Sequence, residues 1–169
     1  MKREDRLFAL YGRIYSHPKL VMALLIIGRV LTGFVILSFL YAVSVLVFFE
    51  EFISVIKLVA LTGIPFFIVS FMRSGINRQR PYEIFKTDEM TRFVKGRKSG
   101  NSFPSRHVFS AFLIGTLWMM YAPIIGITVL FIGLYLAIER VLLGIHFVSD
   151  VIAGAIIGLA SGAFGILIW

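Results

Sequence analysis

The sequence predicts an all-α fold, a polytopic helical membrane bundle of five spanning helices preceded by an interfacial N-terminal helix. Three observations predict it. Of the 169 residues 59% are hydrophobic and only 15% are charged, whereas a soluble domain of this size carries about a quarter charged residues to cover its surface. The mean hydropathy is +0.92. Apolar runs long enough to cross a bilayer are separated by short polar stretches rather than by domains or linkers. The absence of cysteine excludes disulfide frameworks, thiolate metal sites and cysteine nucleophiles. The net charge of +8 in so apolar a chain points to anionic lipid head groups or phosphate as partners rather than to nucleic acid.

The elements follow in order. Lys2 and Arg3 precede Glu4 and Asp5, and Arg13 breaks the next apolar run, so the start does not read as a cleaved signal. Leu7, Phe8, Leu10, Tyr11, Ile14 and Tyr15 recur at helical spacing opposite Arg6 and Arg13, the pattern of a helix lying in the membrane interface. The alternative is a crossing at 7–27, which would raise the count to six, but Arg13, His17, Pro18 and Lys19 oppose it. The run from Leu20 to Phe49 is too short for two crossings of about 20 residues each. Residues 1–28 are accordingly read as interfacial and 29–169 as one transmembrane domain, with spans near 29–49, 53–72, 106–122, 124–140 and 146–168. Pro65 is expected to kink the second span, and residues 73–104 to form a solvated basic loop. The last span carries Gly154, Gly158 and Gly162 at every fourth position, a ridge for close packing of a neighbouring helix.

Polar residues at membrane depth fall into three islands, Arg73–Pro81, Ser102–His107 and Glu139–Asp150, which alternating spans bring to one face. His146 and Asp150 stand four apart, so on a helix the carboxylate can reach and orient the imidazole; a helix-start Asp beside an interfacial His facing water is the plainer alternative. Arg140 needs an anion or water at that depth. Ser105 precedes a clean apolar run and either caps that helix or donates to a phosphate oxygen at its positive N-terminus. Arg73 and Arg80 add planar forks that match phosphate oxygens, and His107 supplies a second imidazole. Together these read as a phosphate site in which His146 attacks phosphorus, arginines and backbone N–H groups hold the oxygens, and His107 protonates the leaving oxygen. No carboxylate cluster or His-x-x-x-His pattern is present, so neither a metal nor another cofactor is expected.

These motifs resemble those of the type 2 phosphatidic acid phosphatase family, membrane lipid phosphatases that share a pocket with vanadium haloperoxidases. That family shows a Lys, six residues and Arg-Pro, then Pro-Ser-Gly-His, then Ser-Arg, five residues, His, three residues and Asp. Here they stand as Arg73 to Arg80-Pro81, Pro104-Ser105-Arg106-His107, and Glu139-Arg140 to His146 and Asp150, with every spacing kept. The resemblance runs from about residue 53 to the C-terminus and implies His146 as nucleophile, His107 as general acid, Asp150 as orienting group, and Arg73, Arg80, Ser105 and Arg140 as phosphate ligands. Three positions depart from it. Arg73 replaces Lys and keeps the charge. Arg106 replaces Gly, so its N–H serves phosphate only with a negative φ, while its side chain adds a cation at the mouth. Glu139 replaces Ser and puts a carboxylate beside Arg140.

The resemblance implies hydrolysis of a lipid phosphate drawn from the bilayer, such as phosphatidic acid, phosphatidylglycerol phosphate or a polyprenyl diphosphate. Phosphoryl transfer to another lipid would use the same intermediate, and a non-catalytic lipid-binding protein with a degenerate pocket is the reading of another class. With five spans the N-terminus and the site share a face, and outside the motifs all Lys and Arg but Lys57 fall there. That asymmetry favours a cytoplasmic site, whereas bacterial lipid phosphatases of the family more often act on the outer side.

Overall fold

The computed structural model describes residues 3–94 and 99–169, with side chains from residue 7 onward. The basic positions Lys2, Lys95, Arg97 and Lys98, and the side chains of Arg3 and Arg6, lie outside the described residues. The described residues form eight helices and no strand: α1 (Arg3–Tyr15), α2 (Pro18–Phe48), α3 (Phe52–Ile76), α4 (Pro81–Ile84), α5 (Asp88–Val94), α6 (Arg106–Trp118), α7 (Pro123–Leu142) and α8 (Val148–Ile168). Pro18, Pro81 and Pro123 each open a helix at its first positions, where a missing N–H leaves nothing unpaired. Pro65 sits inside α3, which runs through it without ending. Asn77 closes α3 in the left-handed conformation, its N–H returning to the Arg73 carbonyl.

Among the described residues four helices, α2, α3, α7 and α8, are long and apolar enough to cross a membrane. Phe48, Phe67, Phe71, Ile124 and Leu167 point outward from them, as they must where the surrounding solvent is hydrocarbon. The protein is an integral membrane protein. The fifth expected span is α6, which ends at Trp118 after 13 residues, about 20 Å at helical rise. It nevertheless runs the length of the bundle. Pro104 and Ser105 just before it meet Arg73 near the end of α3 and Asp150 in the first turn of α8, and Tyr121 just beyond it meets Trp169 at the far end of α8, where Lys57 of α3 also hydrogen-bonds the Trp169 carbonyl at 2.6 Å. Val108, Phe109, Ala111, Leu113 and Leu117 of α6 are buried, so it is wrapped by its neighbours and need not match the thickness of the lipid.

The glycine ridge of α8 makes this wrapping possible. A Cβ on Gly154 would lie 2.6 Å from the Ser105 carbonyl, one on Gly158 2.5 Å from the Phe109 carbonyl, and one on Gly162 2.5 Å from Thr116. The ridge therefore packs α8 onto α6 within the chain.

Three expectations change. α2 is continuous over 31 residues, about 46 Å, with no break at residue 28 between an interfacial segment and a span. Gly28, the weakest helix former there, is held in the helix by packing: a Cβ on it would meet the Glu139 carboxylate at 2.9 Å. The helix is thus longer than a hydrocarbon core of about 30 Å. α1 turns Tyr11 and Tyr15 onto Val21, Leu25, Tyr82, Met90, Leu143 and Ile145, and the Tyr15 hydroxyl donates to the Leu143 carbonyl at 3.0 Å. It covers the α7–α8 turn and leaves Phe8, Ala9 and Leu10 exposed for the interface. The expected solvated loop at 73–104 contains α4 and α5, and Tyr82 and Met90 from it are buried in that same cluster. A long connection carrying apolar residues has surface to bury, and the α7–α8 turn is where it does so.

Candidate active site

The third island is built on a tight turn. Gly144 at φ +59 lets the chain reverse after α7, and its carbonyl accepts the Tyr82 N–H at 2.9 Å, tying the turn to α4. His146 follows, 2% exposed, with its N–H on the Arg140 carbonyl at 3.1 Å. Asp150 lies one turn into α8 and is fully buried. Its Oδ2 accepts the Phe147 N–H at 2.9 Å and the Ser102 hydroxyl at 2.5 Å, and its Oδ1 accepts Arg78 Nη1 at 2.7 Å. His146 Nδ1 is 3.6 Å from Asp150 Oδ2 and 3.3 Å from Ser102 Oγ. Burial pushes the His146 imidazole down to about 4; the Asp150 carboxylate acts in the opposite direction, and the charges of Arg80 and Arg73 reinforce burial.

The second island joins the third through the backbone. The Ser105 N–H donates to the Asp150 carbonyl at 2.9 Å, so the start of α6 and the first turn of α8 are fixed together. Ser105 is the N-cap of α6 in extended conformation, yet its side chain makes no cap bond, and its buried Oγ has no hydrogen-bond partner. Arg106 is the first helical residue and is not among the positive-φ residues, so its N–H is presented at the helix terminus without strain. Its guanidinium is exposed and lies 5.7 Å from the Phe66 ring of α3. His107 is exposed on α6, within electrostatic reach of Arg140, His146, Arg106 and Arg73.

From the first island Arg73 is buried and donates through Nη1 to the Pro104 carbonyl. Arg80 donates through Nε to the Gly100 carbonyl at 2.9 Å and through Nη1 to the Ile145 carbonyl at 3.3 Å, which aligns it beside His146. Its own N–H and that of Gly100 both go to Glu83 Oε2, at 2.7 and 2.9 Å. Arg140 Nε is 3.1 Å from Glu139 Oε2, an ion-pair contact whose angle is not that of a hydrogen bond. The carboxylate that the Ser-to-Glu departure puts beside Arg140 is thus in contact with it.

All eight residues singled out in the sequence, His146, His107, Asp150, Arg73, Arg80, Ser105, Arg106 and Arg140, lie at one end of the bundle and are connected by contacts or by mutual electrostatic reach. Sequence reasoning missed Ser102 and Arg78, which hold Asp150, and Glu83, which holds Arg80. Arg78 and Asp150 are 72 positions apart, a separation from which no helical spacing predicts contact. Ser102 stood inside the second island without a role. Among the described residues no group of three His, Cys, Asp or Glu is arranged to hold a metal ion; the donors at the site are arginines, hydroxyls and N–H groups, which suit an anion.

Several known proteins are similar to this chain. The bacitracin transport permease protein BcrC of Bacillus licheniformis is 38% identical over 64 residues, covering 38% of this chain and 32% of that protein. The lipid A 1-phosphatase of Rhizobium etli is 26% identical over 153 residues, covering 78% of this chain and 66% of its own length. The chain thus spans a third to just under two thirds of these curated relatives. Among solved structures, a transmembrane PAP2-type phosphatidylglycerolphosphate phosphatase from Bacillus subtilis superposes with a TM-score of 0.73 at 19% identity, over 97% of this chain and 84% of that one. LpxE of Aquifex aeolicus superposes at 0.67 with 22% identity, over 94% and 93%. At such identities these two structures establish a shared fold. The family model of the PAP2 superfamily matches residues 54–169, the stretch that carries all three islands, and the chain belongs to the PAP2 superfamily.

Proposed function

We propose that the chain hydrolyses the phosphate or diphosphate of a membrane lipid through a phosphohistidine on His146. The observation that carries this reading is the setting of that imidazole: buried, with Asp150 and Ser102 on its Nδ1 side and Arg73 and Arg80 within electrostatic reach. Nε2 is then the ring atom that attacks. The phosphorus–oxygen bond to the lipid breaks as the phosphorus–nitrogen bond forms, and His107 gives its proton to the leaving oxygen. Water next attacks the phosphohistidine and loses a proton to His107. The phosphorus–nitrogen bond breaks, and inorganic phosphate leaves.

Arg73, Arg80, Arg106, Arg140, the Ser105 hydroxyl and the N–H groups opening α6 hold the non-bridging oxygens. The orphaned Ser105 Oγ supports this, since a buried hydroxyl without a partner costs about 1–3 kcal/mol that a bound phosphate oxygen would recover. Arg106 and His107 are the exposed members of the site, and the Arg106 guanidinium lies beside Phe66 of the apolar helix α3, which suits a substrate arriving sideways with its tail in lipid. Phosphatidic acid, phosphatidylglycerol phosphate and polyprenyl diphosphates are the substrate candidates.

Phosphate release by purified protein from a panel of these lipids tests the proposal. His146→Ala is expected to lose roughly a thousandfold or more in kcat, and the wild type to keep its rate in excess chelator. Release undiminished in the variant, or none from any lipid by the wild type, would sink it.

A further inference from the structure

Asp150 is too far from His146 for a direct hydrogen bond: 3.6 Å separates Oδ2 from Nδ1, beyond the range in which such bonds form. Between them sits Ser102, fully buried, its Oγ 2.5 Å from Asp150 Oδ2 and 3.3 Å from His146 Nδ1. The carboxylate can only accept, so the shorter contact fixes the hydroxyl proton on the Asp150 side. That leaves the Ser102 lone pairs facing the imidazole, and Nδ1 must carry the proton to meet them. The carboxylate is immobilised from its other sides by the Phe147 N–H at 2.9 Å and by Arg78 Nη1 at 2.7 Å. Arg78 is held in turn by the Ser149 hydroxyl at 2.8 Å and lies 4.2 Å over the Phe147 ring. Ser102 itself is fixed through its N–H on the Arg78 carbonyl at 2.9 Å.

We propose that Ser102 is a positioning residue that couples His146 to Asp150, forming with them a three-member chain, Nδ1–H to Oγ–H to carboxylate, anchored by Arg78. The chain fixes the His146 tautomer with Nε2 bare, the form a nucleophile needs, and transmits the carboxylate charge to the ring when Nε2 is phosphorylated. No shift of Asp150 towards the ring is required, because the hydroxyl spans the gap.

The kinetic half of this inference rests on the phosphohistidine reading; the tautomer does not, so the two can fail separately. Protein labelled with 15N-histidine and reconstituted in phospholipid vesicles is to be examined by NMR, with His146→Gln identifying the His146 resonances, alongside phosphate release. The wild type is expected to show His146 as a single Nδ1–H tautomer. In Ser102→Ala the ring should populate both tautomers, kcat should fall roughly ten- to a hundredfold with KM within about twofold, and Ser102→Thr should restore both properties. Asp150→Asn should alter the tautomer as Ser102→Ala does. A single Nδ1–H tautomer surviving in Ser102→Ala would overturn the proposal, as would a Ser102→Ala defect confined to KM. If the wild-type protein releases no phosphate while the tautomer results hold, the coupling stands and the phosphatase reading fails.

Discussion

At the scale of single residues the site is a balance between arginines that welcome an anion and two acids that are already committed. Asp150 spends both oxygens on protein donors, so it orients and does not compete for the substrate. Glu139 sits against Gly28 and pairs with Arg140, which restrains one cation while leaving Arg73, Arg80 and Arg106 to dominate the field. His146 carries the pH dependence. Its imidazole is held down at about 4, first by burial and then by the positive charges of Arg80 and Arg73, so it stays neutral and nucleophilic over the whole physiological range. The acid limb of kcat/KM, which reports the free enzyme, is therefore expected near pH 4; a limb near 6.5 would mean that the ring is solvated in the working enzyme. Stability carries the same sign. The unfolded chain takes up this proton at a higher pH than the native one, so His146 withdraws stability as pH falls from about 6.5 to about 4. Residue types and spacings made the motif members legible in the sequence. Ser102, Arg78 and Glu83 were not legible, because their roles come from contacts between segments far apart in the chain.

At the scale of elements, the site owes its geometry to how closely α6 approaches α8. The Ser105 carbonyl touches the space above Gly154, and the Ser105 N–H holds the Asp150 carbonyl, so one interface fixes both the phosphate-binding terminus and the orienting carboxylate. Gly154→Ala would drive a methyl against backbone that cannot swing aside, at a cost of about 1–3 kcal/mol. Thermal unfolding in detergent is expected to show a lower midpoint, and phosphate release to drop with it. Gly63→Ala in α3 meets nothing within 4 Å and should leave both unchanged or slightly raise the midpoint. Equal effects of the two substitutions would show that the ridge does not position the site. The every-fourth-residue glycines were readable as a packing face, and so were the approximate spans. What hydropathy could not reveal is that α6 is an enclosed 13-residue helix and that α2 continues through residue 28. Both depend on neighbours: α6 is shielded from lipid by the helices around it, and the early turns of α2 pack Val21 and Leu25 into the cluster they share with α1.

For the molecule as a whole, the remaining variable is which side of the membrane the site occupies. α1 packs on the α7–α8 turn, so it shares an end with the site. Among the described residues that end carries Arg13, Lys19, Arg78, Lys86 and Arg92, and Arg29 joins them because its neighbour Gly28 lies against Glu139. The opposite end carries Lys57, with Glu50 and Glu51 beside it. Basic residues near the ends of short connections are retained on the cytoplasmic side during insertion, and that rule predicts a site open to the cytoplasm. The chain has no cysteine, so single introduced thiols report cleanly. Met90 is buried and unsuited to labelling, whereas Lys86 at the site end and Glu51 at the far end are exposed. With a membrane-impermeant maleimide on intact cells, Glu51→Cys is expected to react at once and Lys86→Cys only after permeabilisation. The reverse pattern would put the site outside and reassign the basic residues around it from insertion signals to attraction of anionic lipid, a change that vesicles of varied anionic content would register as a shift in KM at constant kcat.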